Sequence, residues 1–349
     1  DWAVAVFDDA QRIKNPRTKA ARAARKIPSK FRLALTGTPL ENRLLELWSV
    51  VDLILPGYLG SEREFRANHR DPTHHQLHLL RQRLGVITLR RVKDQVLADL
   101  PEKFEDIRYC HLLPSQEAIY RSIHRSRSRE IIDLLREEES EIPYMHIFAL
   151  LTRLKQVCDH PALVEGEGAT AGESAKTEIL DEILDEALDG GLQVVVFSQY
   201  VKMIELMSSH LERRKIDHLV LTGESRDRGR IVRRFNSEQH ERVLLASLLA
   251  GGVGIDLTGA SVVLHYDRWW NPAKENQATD RVHRIGQRRF VQVFKLITRN
   301  TIEERIDELI RTKVDLLERV VAPTEDFISS LGREELIGLL DIDEPVDAP

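Results

Sequence analysis

The rhythm of residues 176–300 constrains the fold more than any other feature of the chain. Five short apolar runs, QVVVFS, HLVLTG, RVLLAS, SVVLHYD and VQVFKLI, alternate there with helix-length segments. Runs this short and this rich in Val and Leu read as strands buried on both faces. Ahead of them, Leu180, Ile183, Leu184, Ala187 and Leu188 follow i, i+3, i+4, i+7, i+8 spacing, the stripe of a helix with one core face. Strands separated by such helices need crossover connections. The expected fold is therefore α/β, with a parallel, doubly wound sheet.

The remaining segments are arranged around that core. WAVAVF reads as a fully buried parallel strand ending in Asp8 and Asp9, and FRLALTGTP, residues 31–39, as a second short strand. Residues 40–100 read as helical, with Pro56 stopping LLELWSVVDLILP. A charged helix with Ser115 as N-cap follows, and another spans about 145–158 and ends at CDHP. EGEGATAGESA, 165–175, reads as a flexible linker. Helices are expected over 226–236 and 273–285, and TIEE at 301–304 is a capping box opening a closing helix through Val320. The acidic, proline-containing stretch after Leu340 reads as disordered.

Composition removes several function classes. The longest uncharged apolar stretch, Val243–Ile255, falls short of the ~20 residues of a membrane span, and no basic-then-apolar leader opens the chain. Cys110 and Cys158 lie far apart without a C-x-x-C pair, which argues against a disulfide framework and for a reducing cytoplasm. A net charge of −5 gives no bulk argument for nucleic-acid binding, so any such argument rests on local patches. One exists: between Ala10 and Leu40 there are nine Lys or Arg residues and no acid. It suits phosphate contact, or a solvated helix beside an acidic partner.

Three motifs carry chemistry. VFDDAQ, residues 6–11, ends an apolar strand in two acids, the pattern that holds magnesium and aims water at a phosphate. QATDRVHRIGQ, 277–287, puts Gln277, Arg281 and Arg284 at i, i+4, i+7 on one face of the expected helix, which reads as a clamp for phosphate oxygens or, as for most pairs of arginines, as a solvated charged face. SLLAGGVGIDLTGA, 247–260, sets Gly251, Gly252 and Gly254 between strands, where backbone amides can approach a phosphate; a tight turn explains them equally well. The four histidines of HRDPTHHQLH, 69–78, lack regular ligand spacing and read as a solvent-facing insert. Trp269 and Trp270 either stack on DNA or brace the core.

In order, DDAQRIKN, LTGTPLENRLLELWS, LRRVKDQVLADLPEK, CDHPALV, VFSQY, AGGVGIDLTGA, DRWWNPAKENQATDRVHRIGQ and TIEERI strongly resemble the Swi/Snf-type ATPases of helicase superfamily two, and most of all their bacterial helicase-like members. The resemblance runs from residue 1 to about 320. It implies two RecA-like parallel-sheet lobes of the P-loop NTPase type. The first lobe is incomplete, over 1–105 with a helical insert; 106–165 is a helical linker or protrusion, 166–175 a flexible linker, 176–320 the complete second lobe and 321–349 a tail. It further implies ATP and Mg²⁺ as cofactors, and movement along double-stranded DNA with low sequence specificity, without strand separation. The partners it suggests are duplex DNA and a DNA-bound protein complex such as a polymerase, in a bacterial cytoplasm at the nucleoid.

By matching positions, Asp8 would coordinate Mg²⁺ and Asp9 would orient the attacking water. Arg281 and Arg284 would be arginine fingers with Gln277 beside them, and Gly254 and Asp256 would contact the nucleotide. Thr36 and Thr38 would couple nucleotide state to DNA contact, and Ser198, Gln199, Thr222, Gly223, Gly251 and Gly252 would face the DNA backbone or the cleft between the lobes.

The chain departs from the family pattern in three places. No Gly-Lys dipeptide occurs in it, so the phosphate-cradling G-x-x-x-x-G-K-[ST] loop is not among these residues. Asp9 stands where the pattern has glutamate, and the carboxylate is drawn back by about 1.5 Å, which implies slower turnover. Asp256 stands in place of the usual asparagine and puts a negative charge near the implied ligand. The chain opens on Asp1 inside a strand, which reads as a fragment. Two expectations follow: a portion of a DNA-dependent ATPase that is inactive alone, or a non-catalytic DNA- or protein-binding module derived from one.

Overall fold

The computed structural model describes residues 2–36, 44–69, 73–89, 100–137, 140–164, 174–237, 241–248, 255–270, 272–312, 328 and 331–341. Among them, the residues up to 89 form one compact unit and those from 100 onward a second.

In the first unit, β1 (Trp2–Phe7) and β2 (Ser29–Ala34) pair in parallel, with α1 (Lys19–Arg25) between them in sequence. Arg25 and Arg32, from the basic run, are spent on structure. Arg25 Nη2 donates to Ser49 O at 3.1 Å, and Arg32 Nη1 donates to Leu53 O at 2.9 Å, so they tie α1 and β2 respectively to α2 (Leu44–Ile54). Trp48 and Val51 of α2 pack with Leu59, Phe65 and Leu80 around α3 (Glu62–Asn68) and α4 (His74–Gly85). The helical insert thus has its own core. β1 is the expected parallel strand but not a fully buried one: Trp2, Val4 and Val6 remain 68%, 50% and 54% exposed. Among the described residues no third strand joins the pair, and that face lies open.

The second unit is built on a six-stranded sheet, ordered β3-β8-β7-β4-β6-β5, in which every pairing is parallel. Its strands are β3 (Lys103–Cys110), β4 (Val194–Ser198), β5 (His218–Leu221), β6 (Val243–Ser247), β7 (Val262–His265) and β8 (Val291–Thr298). β4, β6 and β7 are buried along their whole length, as apolar runs without alternation require. α5 (Pro114–Arg136) and α6 (Tyr144–Asp159) precede β4, α7 (Ala175–Asp189) leads into it, and α8 (Val201–Arg213) and α9 (Arg228–Asn236) follow. The α7 stripe lies as its spacing demands: Leu180, Ile183, Leu184 and Ala187 are buried against Val194, Val196 and Leu264.

Several expected boundaries move. The division expected at residue 105 falls inside β3, which pairs with β8 from Lys103 to Cys110; strand, α5 and α6 all belong to the second unit. The charges of KFEDIRYC hide that strand, because it lies at a sheet edge with one flank solvated. α5 starts at Pro114, so Leu113 rather than Ser115 is its N-cap. Ser174 and Ala175, assigned to a flexible linker, are buried: Ser174 Oγ donates to Asp159 O at 2.6 Å, and Ala175 N to Gln116 Oε1 at 3.0 Å. Residues 165–173 of that linker, 313–320 of the closing helix and 321–327, 329–330 and 342–349 of the tail lie outside the described residues. The capping box at 301–304 is displaced by one residue, with Glu304 Oε2 accepting from Asn300 N at 2.9 Å and Thr301 Oγ1 from Glu303 N at 3.2 Å.

Candidate functional site

Because all its strands run parallel, the second unit collects their carboxyl ends along one edge, where open α/β sheets bind ligands. From β4 the chain goes outward to β5, returns to β6 beside β4, then passes to β7 on the other side. The reversal lies at β4, which makes the turn after Ser198 the topological switch point.

At that turn Ser198 is buried, and its Oγ donates to Asp267 Oδ2 at 2.5 Å. The Gln199 amide donates to both Asp267 oxygens at 3.2 Å. Asp267 follows β7, so one carboxylate joins the ends of β4 and β7. Burial raises its pKa above the ordinary aspartate value, opposed by the Lys155 ammonium and the Ser198 hydroxyl. Burial lowers the pKa of Lys155, whose Nζ donates to Arg268 O at 2.5 Å and lies 5.5 Å from the Trp270 ring centre. Trp270 is buried, so of the two readings for it the structure takes bracing.

Behind this edge lies a charged cluster that sequence reasoning did not single out. Lys176 Nζ donates to Asp159 Oδ1 at 2.8 Å and to Glu303 Oε1 at 2.6 Å, all three side chains being fully buried. Burial opposes the ammonium charge, yet the two carboxylates hold its pKa well above the ordinary lysine value. Arg268 forks between Glu275 Oε2 and Asp307 Oδ1, each at 2.8 Å. The available signal was position: Lys176 stands four residues before Leu180 in the core stripe of α7, where a charge needs a buried partner.

The expected helix over 273–285 is shorter. α10 runs Pro272–Thr279, and the chain then closes 3₁₀-type turns, Arg281 N to Ala278 O at 3.1 Å and Val282 N to Thr279 O at 2.9 Å. Gln277 lies on the helix, whereas Arg281 and Arg284 lie on the turns after it, so the single-helix-face argument fails. Buried Val282 and the His283 Nε2 contact with Pro101 O at 2.8 Å pull the backbone out of the helix, and Gly286 reverses it at φ 103°. The two arginines are positioned by another device. Arg281 O accepts from Leu257 N at 2.9 Å, and Arg284 Nη1 donates to Ile255 O at 3.4 Å. Gln287 Nε2 donates to Ala260 O at 2.8 Å, while its Oε1 accepts from Arg288 N and Arg289 N at 2.9 Å. Gln287, not counted among the candidates, is therefore the staple between the arginine turn and residues 255–260. Asp256 is exposed on that segment, its Oδ1 taken by Thr258 N at 3.1 Å. Gly259 allows close approach there, since a Cβ would meet Asn236 Oδ1 at 2.9 Å.

Thr222 and Gly223 form the turn after β5. Thr222 N donates to Ser225 Oγ at 3.0 Å, and Gly223 O accepts from Arg228 Nη2 at 2.9 Å. Gly251, Gly252 and Gly254 lie outside the described residues, as does Thr38.

In the first unit the acids end β1 as expected. Leu35 N donates to Phe7 O and Ala10 N to Leu35 O, both at 2.9 Å, which sets the Asp8–Asp9 turn alongside Leu35 and exposed Thr36. Asp8 is exposed and accepts from Asp9 N through Oδ1 at 3.0 Å. Asp9 sits at φ 54°, ψ 47°, a left-handed conformation that aspartate tolerates better than most side chains. Among the described residues no cluster of three or more His, Cys, Asp or Glu could cage a metal. Mg²⁺ does not need such a cage, being held through one or two carboxylates with waters and phosphates, and exposed Asp8 fits as one such ligand. His69 accounts for itself by stacking on Phe65 at 4.2 Å, with Nδ1 3.0 Å from Phe65 O. No helix among the described residues is long and apolar enough to cross a membrane.

Comparison with known proteins finds relatives along nearly the whole chain. The sequence matches the SNF2-related domain over residues 1–163 and the helicase conserved C-terminal domain over residues 175–286. An uncharacterized ATP-dependent helicase of Mycoplasma pneumoniae is 39% identical over 96% of this chain and 32% of its own length. YwqA of Bacillus subtilis, named for an ATP-dependent helicase/translocase, is 38% identical over 96% of this chain and 37% of its own. The chain thus spans about a third of the length of the curated relatives it matches. The SWI2/SNF2 ATPase core of Sulfolobus solfataricus, solved in complex with dsDNA, is 36% identical with a TM-score of 0.58, covering 96% of this chain and 72% of that one.

Proposed function

Since the chain belongs to the Swi2/Snf2 family of helicase-like ATPases, we propose that it is a portion of a DNA-dependent motor that couples ATP hydrolysis to movement along double-stranded DNA. The observation that carries this reading is the stapling of Arg281 and Arg284 onto residues 255–260 by Gln287. Arginines held in place before any ligand arrives, Arg281 through its carbonyl and Arg284 through its guanidinium, are preorganised to meet phosphate charge. Arg281 and Arg284 stabilise the charge that develops on the γ-phosphate, and Gln277 contacts the nucleotide with Gly254 and Asp256. Asp8 ligates Mg²⁺, which, when bound, neutralises phosphate charge. Asp9 orients the attacking water.

The DNA-facing groups are Thr36, Thr38, the Thr222–Gly223 turn, Gly251 and Gly252; of these, Thr36 and Gly223 are exposed. Gln199 acts beside them. Ser198, with its hydroxyl buried on Asp267, works by fixing the turn that carries Gln199. Arg12, Lys19, Lys26 and Lys30 of the basic run stay exposed and suit the DNA backbone. Such contacts read no sequence. The motor's load is a DNA-bound protein complex; the relatives' names do not favour a polymerase. In a bacterium such a motor works at the nucleoid.

Without a Gly-Lys loop the residues present hold only part of the nucleotide, so the chain by itself binds duplex and hydrolyses no ATP. Fluorescence anisotropy with a short duplex and its single strand tests the binding. Duplex preference that weakens with salt and ignores sequence is the expected result. Preference for the single strand, or ATP turnover by the chain alone, contradicts the reading.

A further inference from the structure

α5 carries a row of arginines that the motor reading does not use. Arg121, Arg125 and Arg129 follow one another at four-residue spacing on one face, and Arg136 continues the row, spanning about 22 Å of helix. With Arg299 from the end of β8 they line a recess of about 690 Å³. Arg121 is paired with Glu117 at 2.7 Å, while Arg129 has no carboxylate within ion-pairing distance among the described residues.

The recess includes Asp341, the residue from which an acidic stretch of sequence runs on. α11 (Arg333–Leu340) packs along α5 in the opposite direction. At one end Arg333 Nη1 donates to Glu137 O at 2.9 Å and Leu135 O at 3.1 Å, capping α5. At the other, His124 Nε2 lies 2.7 Å from Leu340 O, and the next residue, Asp341, lines the recess. Beyond it the sequence reads IDEPVDAP, adding Asp343, Glu344 and Asp347 and no basic residue.

The geometry points to this acidic segment, residues 341–347, as the occupant of the arginine-lined recess on α5, a built-in competitor for whatever anion that face meets. Three observations favour a peptide over duplex DNA. The recess is concave and sized for side chains, whereas a duplex presents a convex rod. Glu117 and Asp133 interrupt its positive charge, and a continuous phosphate backbone would be repelled there. Asp341 already lines the recess, so carboxylates tethered a few residues after it reach the arginines at an effective concentration of ~mM. Guanidinium groups bind carboxylates by paired hydrogen bonds that salt weakens.

The test uses a labelled synthetic peptide, DIDEPVDAP, titrated by anisotropy at low salt against three proteins: the chain, the chain ending at Leu340, and the chain with D341N, D343N, E344Q and D347N together. The shortened and neutralised chains bind the peptide at least about fivefold more tightly than the parent, because the site no longer has its occupant in cis. Adding R125A and R129A to the shortened chain removes that gain without lowering its melting temperature. Equal binding by parent and shortened chains overturns the proposal. So does a gain in affinity for a short duplex with none for the peptide, which would assign the recess to nucleic acid.

Discussion

The Ser198 hydroxyl donates to the Asp267 carboxylate at 2.5 Å, and so joins the carboxyl end of β4 to that of β7 at the point where the sheet's winding reverses. Both side chains are fully buried, and Gln199 is aimed by the same carboxylate through its backbone amide. Ser198→Ala removes the shorter of the donors from a buried acid. It is expected to cost about 1–3 kcal/mol in urea denaturation, with the slope of the transition unchanged. A midpoint equal to the parent's would mean that the bond contributes nothing.

Lys176 is the counter-charge for two buried carboxylates, Asp159 and Glu303. Lys176→Met strands both and is expected to destabilise the chain by about 3–5 kcal/mol. Combining it with Asp159→Asn and Glu303→Gln removes the unpaired charges and restores a large part of that loss, read as thermal melting. A triple variant no more stable than Lys176→Met contradicts this account.

Burial in the sheet pushes the His265 imidazole down to about 4; Glu275 and Glu105 pull it up, and Lys295 and Arg268 push it further down. The unfolded chain takes up a proton near pH 6.5 that the folded chain refuses until about pH 4. The contribution is therefore fully present above pH 6.5 and is lost as pH falls toward 4, amounting to about 3 kcal/mol at the acid end. The measurement is the difference in unfolding free energy between the parent and His265→Asn at several pH values. A difference that does not change across that window rules out His265 as the source.

Asp9 meets two demands, a left-handed backbone at φ 54° and, in the proposed motor, a carboxylate that reaches water. Glutamate suits the second better than the first. In the native protein that contains this chain, Asp9→Glu is expected to raise duplex-stimulated ATP turnover on the order of tenfold with a small loss of thermal stability. Unchanged turnover would show that carboxylate reach does not limit the rate.

The parallel sheet was legible because VVVFS, VLLAS and VVLH have no polar alternation, and a strand without alternation has no solvent face to offer. β3 was not, because edge position lets charges into a strand. QATDRVHRIGQ reads as one continuous helix, and the structure shapes it differently. Periodicity extends a helix through Arg284, and only the tertiary bonds of Arg281 O, His283 and Gln287 end it at Thr279. The buried charges of Lys176, Glu303 and Asp307 look like surface residues to any composition argument. Their partners come from distant elements, and a helical stripe shows burial without showing the partner.

The central claim is that Arg281 and Arg284 serve phosphate chemistry rather than structure. Duplex-stimulated ATP hydrolysis by the native protein containing this chain, measured for the parent and for Arg281→Ala, tests it most directly. The account predicts a fall of ~10³-fold or more in turnover with duplex affinity and melting temperature close to the parent's. Turnover that survives within a few-fold would contradict it.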